Sequence, residues 1–171
     1  MATTPDLATV KAQITAEFPS FKIVNKSDST LMKLISCFMV ASFMSNFVTT
    51  IWNTVYVPSN WATYSVAEQC SLLRHESIHM RQAKSLTFPL FGFLYLCVFF
   101  PIGLSYFRAK FEMEAYAETL ASYKDYGESY SDPATQAWLT TQFVGPNYGW
   151  MWPFKSAIIS WFNATVAKLN A

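Results

Sequence analysis

Apolar positions recur along this chain with helical spacing at some places and strand-like density at others. Near the start, Leu7, Val10, Ile14 and Phe18 lie three to four residues apart, the spacing of one helical face. Thr4 and Pro5 supply the start signal, with Thr4 as the cap and Pro5 in the first turn, and Pro19 supplies the stop. Residues 21–24 form a short apolar run that predicts a strand, and 25–30 a polar loop. Residues 31–47 are apolar with Ser and Asn interspersed, which predicts a buried helix. The character then changes. Residues 49–58, TTIWNTVYVP, are dense in β-branched and aromatic side chains and contain no strong helix former. They predict one strand, closed by Pro58-Ser59-Asn60.

Ser65-Val66-Ala67-Glu68 matches a capping box, in which the Ser hydroxyl accepts from a free amide and the Glu reaches back. A helix is expected from there to about residue 84. Residues 86–107 are apolar but interrupted by Pro89, Gly92, Pro101 and Gly103. Residues 108–126, rich in Ala, Glu and Lys, predict a helix ended by Gly127. Asp132-Pro133 begins another, Gly145-Pro146-Asn147 is a turn, and Trp152-Pro153 opens a last helix toward Leu169. The expected fold is α+β, mostly helical, with one small sheet. There is no repeat or linker, so residues 1–171 are expected to form a single domain.

Composition narrows the setting. Of 171 residues, 52% are hydrophobic and 13% charged, against roughly 25% charged in an ordinary soluble domain. A disordered chain is excluded. The net charge of +1 gives no electrostatic basis for nucleic-acid binding. Cys37, Cys70 and Cys97 are odd in number and form no CxxC pair, so they read as small buried hydrophobes in a reducing compartment. The N-terminal residues are polar and mixed in charge, without a signal-peptide pattern. A cytoplasmic or virion-associated protein is expected. Residues 34–67 and 85–107 carry no formal charge, and each exceeds the roughly 20 residues of a membrane span. The first is rich in Ser, Thr and Asn, and the second is broken by Pro and Gly. A soluble domain with these segments in its core is the favoured expectation, and membrane contact a secondary one.

The chemistry concentrates in one place. The only two histidines fall in His75-Glu76-Ser77-Ile78-His79, an HExxH sequence inside the helix that the capping box begins. Four residues advance a helix by about 400°, so both imidazoles leave from one face. Two neutral imidazoles at that spacing can hold one Zn²⁺. Glu76, beside that face, is positioned as general base toward a water. A catalytic zinc needs a third protein ligand. With no histidine left, it must be a carboxylate, and Glu112, Glu114, Glu118, Asp125, Glu128 and Asp132 are available downstream. Glu112 and Glu114 lie about 200° apart on a helix, so they cannot both face one metal. Glu112 shares its face with Ala115, Tyr116 and Thr119, whereas Glu114 shares its own with Lys110 and Glu118, a solvated stripe. A competing role for Glu112 is an i,i+4 pair with Arg108.

HExxH followed by Glu112-Met113-Glu114-Ala115-Tyr116 resembles the gluzincin group of zinc metallopeptidases, in which a later helix supplies a Glu from an E-x-x-A-D-like run. The resemblance implies Glu112 as third zinc ligand, beside His75 and His79. Tyr116 stands where that group has an Asp that orients a zinc-bound histidine. The resemblance further implies a minimal zincin-like fold, with a small sheet beside the HExxH helix and an edge strand able to take a peptide. Short chains of this build are similar to small peptidases inferred in phage and bacterial genomes. The implied function is zinc-dependent hydrolysis of a peptide bond in a peptide or protein substrate. If Glu112 joins the histidines, residues 86–107 cannot cross a membrane an odd number of times. Zincins often steady the oxyanion with a Tyr or His, and Tyr148, in an aromatic loop, is the candidate here. The alternative is a zinc-stabilised structural or interaction protein, virion- or membrane-associated, without catalysis.

Overall fold

The computed structural model describes residues 4–37, 43–97, 105–145 and 151–171. The chain is α+β and mostly helical, with one three-stranded mixed sheet. It divides into two compact units, Met1–Met80 and Arg81–Ala171.

In the first unit, helix α1 spans Leu7–Glu17 and buries Val10 and Ile14, with Phe18 buried just after it. Asp6 is its cap, in place of the expected Thr4: the Asp6 carboxylate accepts from the Thr9 amide at 2.7 Å. A carboxylate three residues before a free amide is the stronger acceptor. Strand β1 (Lys22–Asn25) follows, then a 3₁₀ turn, Lys26–Asp28, where a polar loop was expected. The expected helix over 31–47 is instead two short ones among the described residues, α2 (Thr30–Ser36) and α3 (Phe43–Asn46); residues 38–42 lie outside them. Ser29 caps α2, accepting from the Met32 amide at 3.3 Å. That start turns Met32 inward and leaves Leu31 and Leu34 exposed. Cys37, at the end of α2, is exposed rather than buried.

The single strand expected over 49–58 is a hairpin. Strands β2 (Thr49–Ile51) and β3 (Thr54–Val57) are antiparallel, with Thr49 opposite Tyr56 and Ile51 opposite Thr54. Trp52 and Asn53 make the two-residue turn, and Trp52 takes φ 55°, a value that hairpins of this length usually reserve for glycine. Asn53 anchors the turn by donating from Nδ2 to Ser20 Oγ at 2.7 Å and accepting from the Lys22 amide. β1 pairs parallel to β3, so the order is β1-β3-β2 and β2 is an edge. Val55 and Val57 point into the core by the period-2 rule and are fully buried.

Helix α4 (Val66–Leu86) begins at the expected capping box. The Ser65 amide donates to Glu68 Oε2 at 2.7 Å and the Glu68 amide donates to Ser65 Oγ at 3.2 Å. Cys70 and Leu73 lie in the core, and Met80 closes the unit.

The second unit contains α5 (Phe88–Gly92), a π-helical turn (Phe93–Cys97), α6 (Tyr106–Tyr126), α7 (Pro133–Val144) and α8 (Lys155–Asn170). Gly127, at φ 72°, ends α6 where expected, and the Asp132 carboxylate caps α7 through the Ala134 and Thr135 amides. Gly145 ends α7, and a Cβ there would sit 2.4 Å from the Thr141 carbonyl oxygen. Tyr116, Leu120, Leu139, Phe143, Ile158 and Phe162 form a continuous core among α6, α7 and α8. Among the described residues, no helix is long and apolar enough to cross a membrane.

Candidate metal centre

The third and fourth turns of α4 present His75, Glu76 and His79, all less than a tenth exposed. The two imidazoles pack edge to face, with centroids 5.0 Å apart and planes at 76°, as an i,i+4 pair should. Glu112, on α6, is 1% exposed. One ligand atom from each of His75, His79 and Glu112 lies within 4.8 Å of the other two. Among the described residues this is the group of His, Cys, Asp and Glu side chains that could hold a metal ion.

Helix phase explains why Glu112 is inside. Ala109, Glu112, Ala115, Tyr116 and Thr119 are buried along one stripe of α6, at the three- and four-residue spacing of a single face. Glu114 points elsewhere and is exposed. It accepts from Gln82 Nε2 at 2.8 Å, and the same amide donates to the Phe111 carbonyl at 3.1 Å. Asp132, another carboxylate open on sequence grounds, is used as the α7 cap. The Tyr116 ring packs against Trp138 and Phe143 in the helical core.

Within the first unit, one hydrogen bond holds Glu76 and one buried cation acts on it electrostatically. Thr50, at the middle of edge strand β2, donates from Oγ1 to Glu76 Oε2 at 2.6 Å. Lys26, from the 3₁₀ turn, is fully buried. Its ammonium donates to the Phe43 carbonyl at 2.7 Å and sits 3.6 Å from the centre of the Phe43 ring. Burial pulls the Lys26 pKa from 10.5 down to about 8, and the negative charge of Glu76 opposes that change. At neutral pH, Lys26 is therefore a buried cation.

Glu112 has its own support in the second unit. The Tyr95 hydroxyl, from the π-helical turn, donates to Glu112 Oε1. The Arg108 guanidinium lies over the Tyr95 ring at 4.9 Å.

Two imidazoles and one carboxylate are the donor set of open, three-ligand metal sites, so these residues fit a bound metal ion. Burial strengthens the case, since a buried carboxylate among imidazoles is costly without a cation to share. No protein-family model matches the chain, and no curated protein and no solved structure matches it. Tyr148, expected near the site, lies outside the described residues. Lys26, Thr50 and Tyr95 are not marked by the sequence. Thr50 falls within the expected strand, but nothing local identifies it as the Glu76 partner. Lys26 lies in a polar run that looks solvated, and Tyr95 in an uncharged run that looks like packing.

Proposed function

We propose that the protein is a zinc-dependent peptidase, with His75, His79 and Glu112 as zinc ligands and Glu76 as general base. The observation that carries this is the buried His75–His79–Glu112 group with Glu76 next to His75 in sequence and held by Thr50. When bound, zinc supplies a Lewis acid that polarises the scissile carbonyl and acidifies water. The chain's residues do the rest. Thr50 occupies Glu76 Oε2 and leaves Oε1 to accept the proton of the attacking water. Glu76 then delivers that proton to the departing amide nitrogen, the usual double duty of a positioned carboxylate. The class of substrate proposed is a peptide or protein.

The near-complete burial of all three ligands favours a second reading, a closed zinc site that stabilises a structural or interaction protein. One set of measurements separates the two. Metal content by mass spectrometry is expected to give one zinc per chain, strongly reduced in Glu112→Ala. Glu76→Gln is expected to keep that zinc and abolish cleavage of a broad peptide library. Retention of full zinc by Glu112→Ala moves the third ligand elsewhere. A fully metallated wild type that cleaves nothing, with His75→Ala lowering the melting temperature, favours the structural reading.

A further inference from the structure

We infer that Tyr95 is a positioning residue for Glu112, and that the π-helical turn carrying it exists to present that hydroxyl. The inference rests on the metal-site reading above and adds a residue to it. Four observations carry it, all within the second unit. The Tyr95 hydroxyl donates to Glu112 Oε1. The Arg108 guanidinium covers the Tyr95 ring at 4.9 Å, one helical turn before Glu112 on α6. Phe91 packs against Tyr95 with centroids 5.5 Å apart and against Phe111, the neighbour of Glu112, at 5.1 Å. Finally, Tyr95 is the central residue of Phe93–Cys97, where the backbone widens to π-helical geometry. Such turns are rare and concentrate at functional sites, because they rotate one side chain out of the ordinary helical phase.

A glutamate carboxylate turns freely unless a partner holds it. Its terminal torsion is broad, so a free carboxylate presents either oxygen, or both, to a cation. A fixed donor on Oε1 removes that freedom, so the carboxylate would meet a cation in one defined orientation. The donor is only as well placed as its ring. Arg108 and Phe91 hold the ring, and Phe111 ties Phe91 to the helix that carries Glu112. Outer partners of this kind typically contribute about 10–100-fold to metal affinity.

The test uses the full chain and Tyr95→Phe. That change keeps the ring and therefore its contacts with Arg108 and Phe91, and it deletes only the donor. Zinc affinity is measured by competition with a chromophoric chelator. Ligand geometry is read from the visible absorption of the Co²⁺-substituted protein. Both are repeated in the Glu112→Ala background. The expected result is an about 10–100-fold weaker zinc affinity and an altered Co²⁺ spectrum in Tyr95→Phe, with no further loss when Glu112 is already Ala. Unchanged affinity and spectrum in Tyr95→Phe overturn the inference while leaving the metal site standing. An equal loss in the Glu112→Ala background also overturns it, because Tyr95 would then act on the metal by another route. A wild type that binds neither zinc nor Co²⁺ overturns the metal-site reading itself.

Discussion

Replacing Lys26 by Met tests the buried cation beside Glu76. Met has nearly the same length and no charge, so it fills the space between the 3₁₀ turn and Phe43 without the ammonium. The Lys26 pKa falls from 10.5 to about 8 because burial disfavours the charged form more than Glu76 restores it. Moving a pKa by one pH unit corresponds to about 1.4 kcal/mol. Protonated Lys26 therefore destabilises the fold by about 3 kcal/mol relative to its neutral form. The sign is fixed by linkage. Between pH 8 and 10.5 the unfolded chain holds the proton that the folded chain has released, so wild-type stability rises with pH across that window. Below pH 8 the penalty is fully present. Met removes it but also removes the bond to the Phe43 carbonyl, worth about 1 kcal/mol. At about pH 7, Lys26→Met is expected to be more stable than wild type by about 2 kcal/mol. That advantage should vanish and reverse as pH approaches 10.5. The assay is urea unfolding followed by circular dichroism from about pH 7 to 10.5, with chelator present so that metal binding does not contribute. Other lysines and tyrosines titrate in both proteins and cancel in the difference. Parallel stability curves for the two proteins would refute the reasoning.

Thr50→Val should leave zinc content unchanged and lower kcat for peptide cleavage, because the removed hydroxyl touches only the base; an unaltered kcat would separate Thr50 from the chemistry. Gly127→Ala should destabilise the chain by about 1–2 kcal/mol in thermal unfolding, since nothing blocks a Cβ there and the left-handed backbone at φ 72° is the whole cost. Trp52→Gly should act in the opposite direction, by about 1 kcal/mol, by relaxing φ 55° in the hairpin turn. Bonds from Thr135 hold the Asp132 carboxyl below its usual pKa of 3.8. Its contribution is present above that value and is lost as pH falls below it, so acid unfolding should be less steep in Asp132→Asn.

How legible each feature is depends on how local its cause is. The start of α4 is readable because Ser65 and Glu68 satisfy each other's amides within four residues. The end of α6 is readable because Gly127 alone meets the backbone requirement there. The inward phase of Glu112 follows from helical periodicity, and the gathering of the two histidines from their spacing. The hairpin escapes a sequence reading because its turn is Trp52-Asn53, which carries none of the glycine that marks such turns, and its geometry is held from outside by Ser20 and Lys22. The cap of α1 is displaced from Thr4 to Asp6 because Thr4, Pro5 and Asp6 all signal a helix start, and only the bond to Thr9 chooses among them. Lys26 cannot be read at all. A lysine in the run Asn25-Lys26-Ser27-Asp28 looks solvated, and only the return of Phe43 onto it makes it a buried cation.

The pairing of His75 and His79 has a practical consequence. The chain contains no other histidine, so every imidazole proton resonance in its NMR spectrum comes from this one helical turn. Edge-to-face rings 5.0 Å apart shift each other's signals through their ring currents, which should separate the two sets without isotopic labelling or assignment by mutation. Adding metal in steps would then be followed at the ligands themselves, nucleus by nucleus, and slow exchange, fast exchange or silence could each be read directly from two residues.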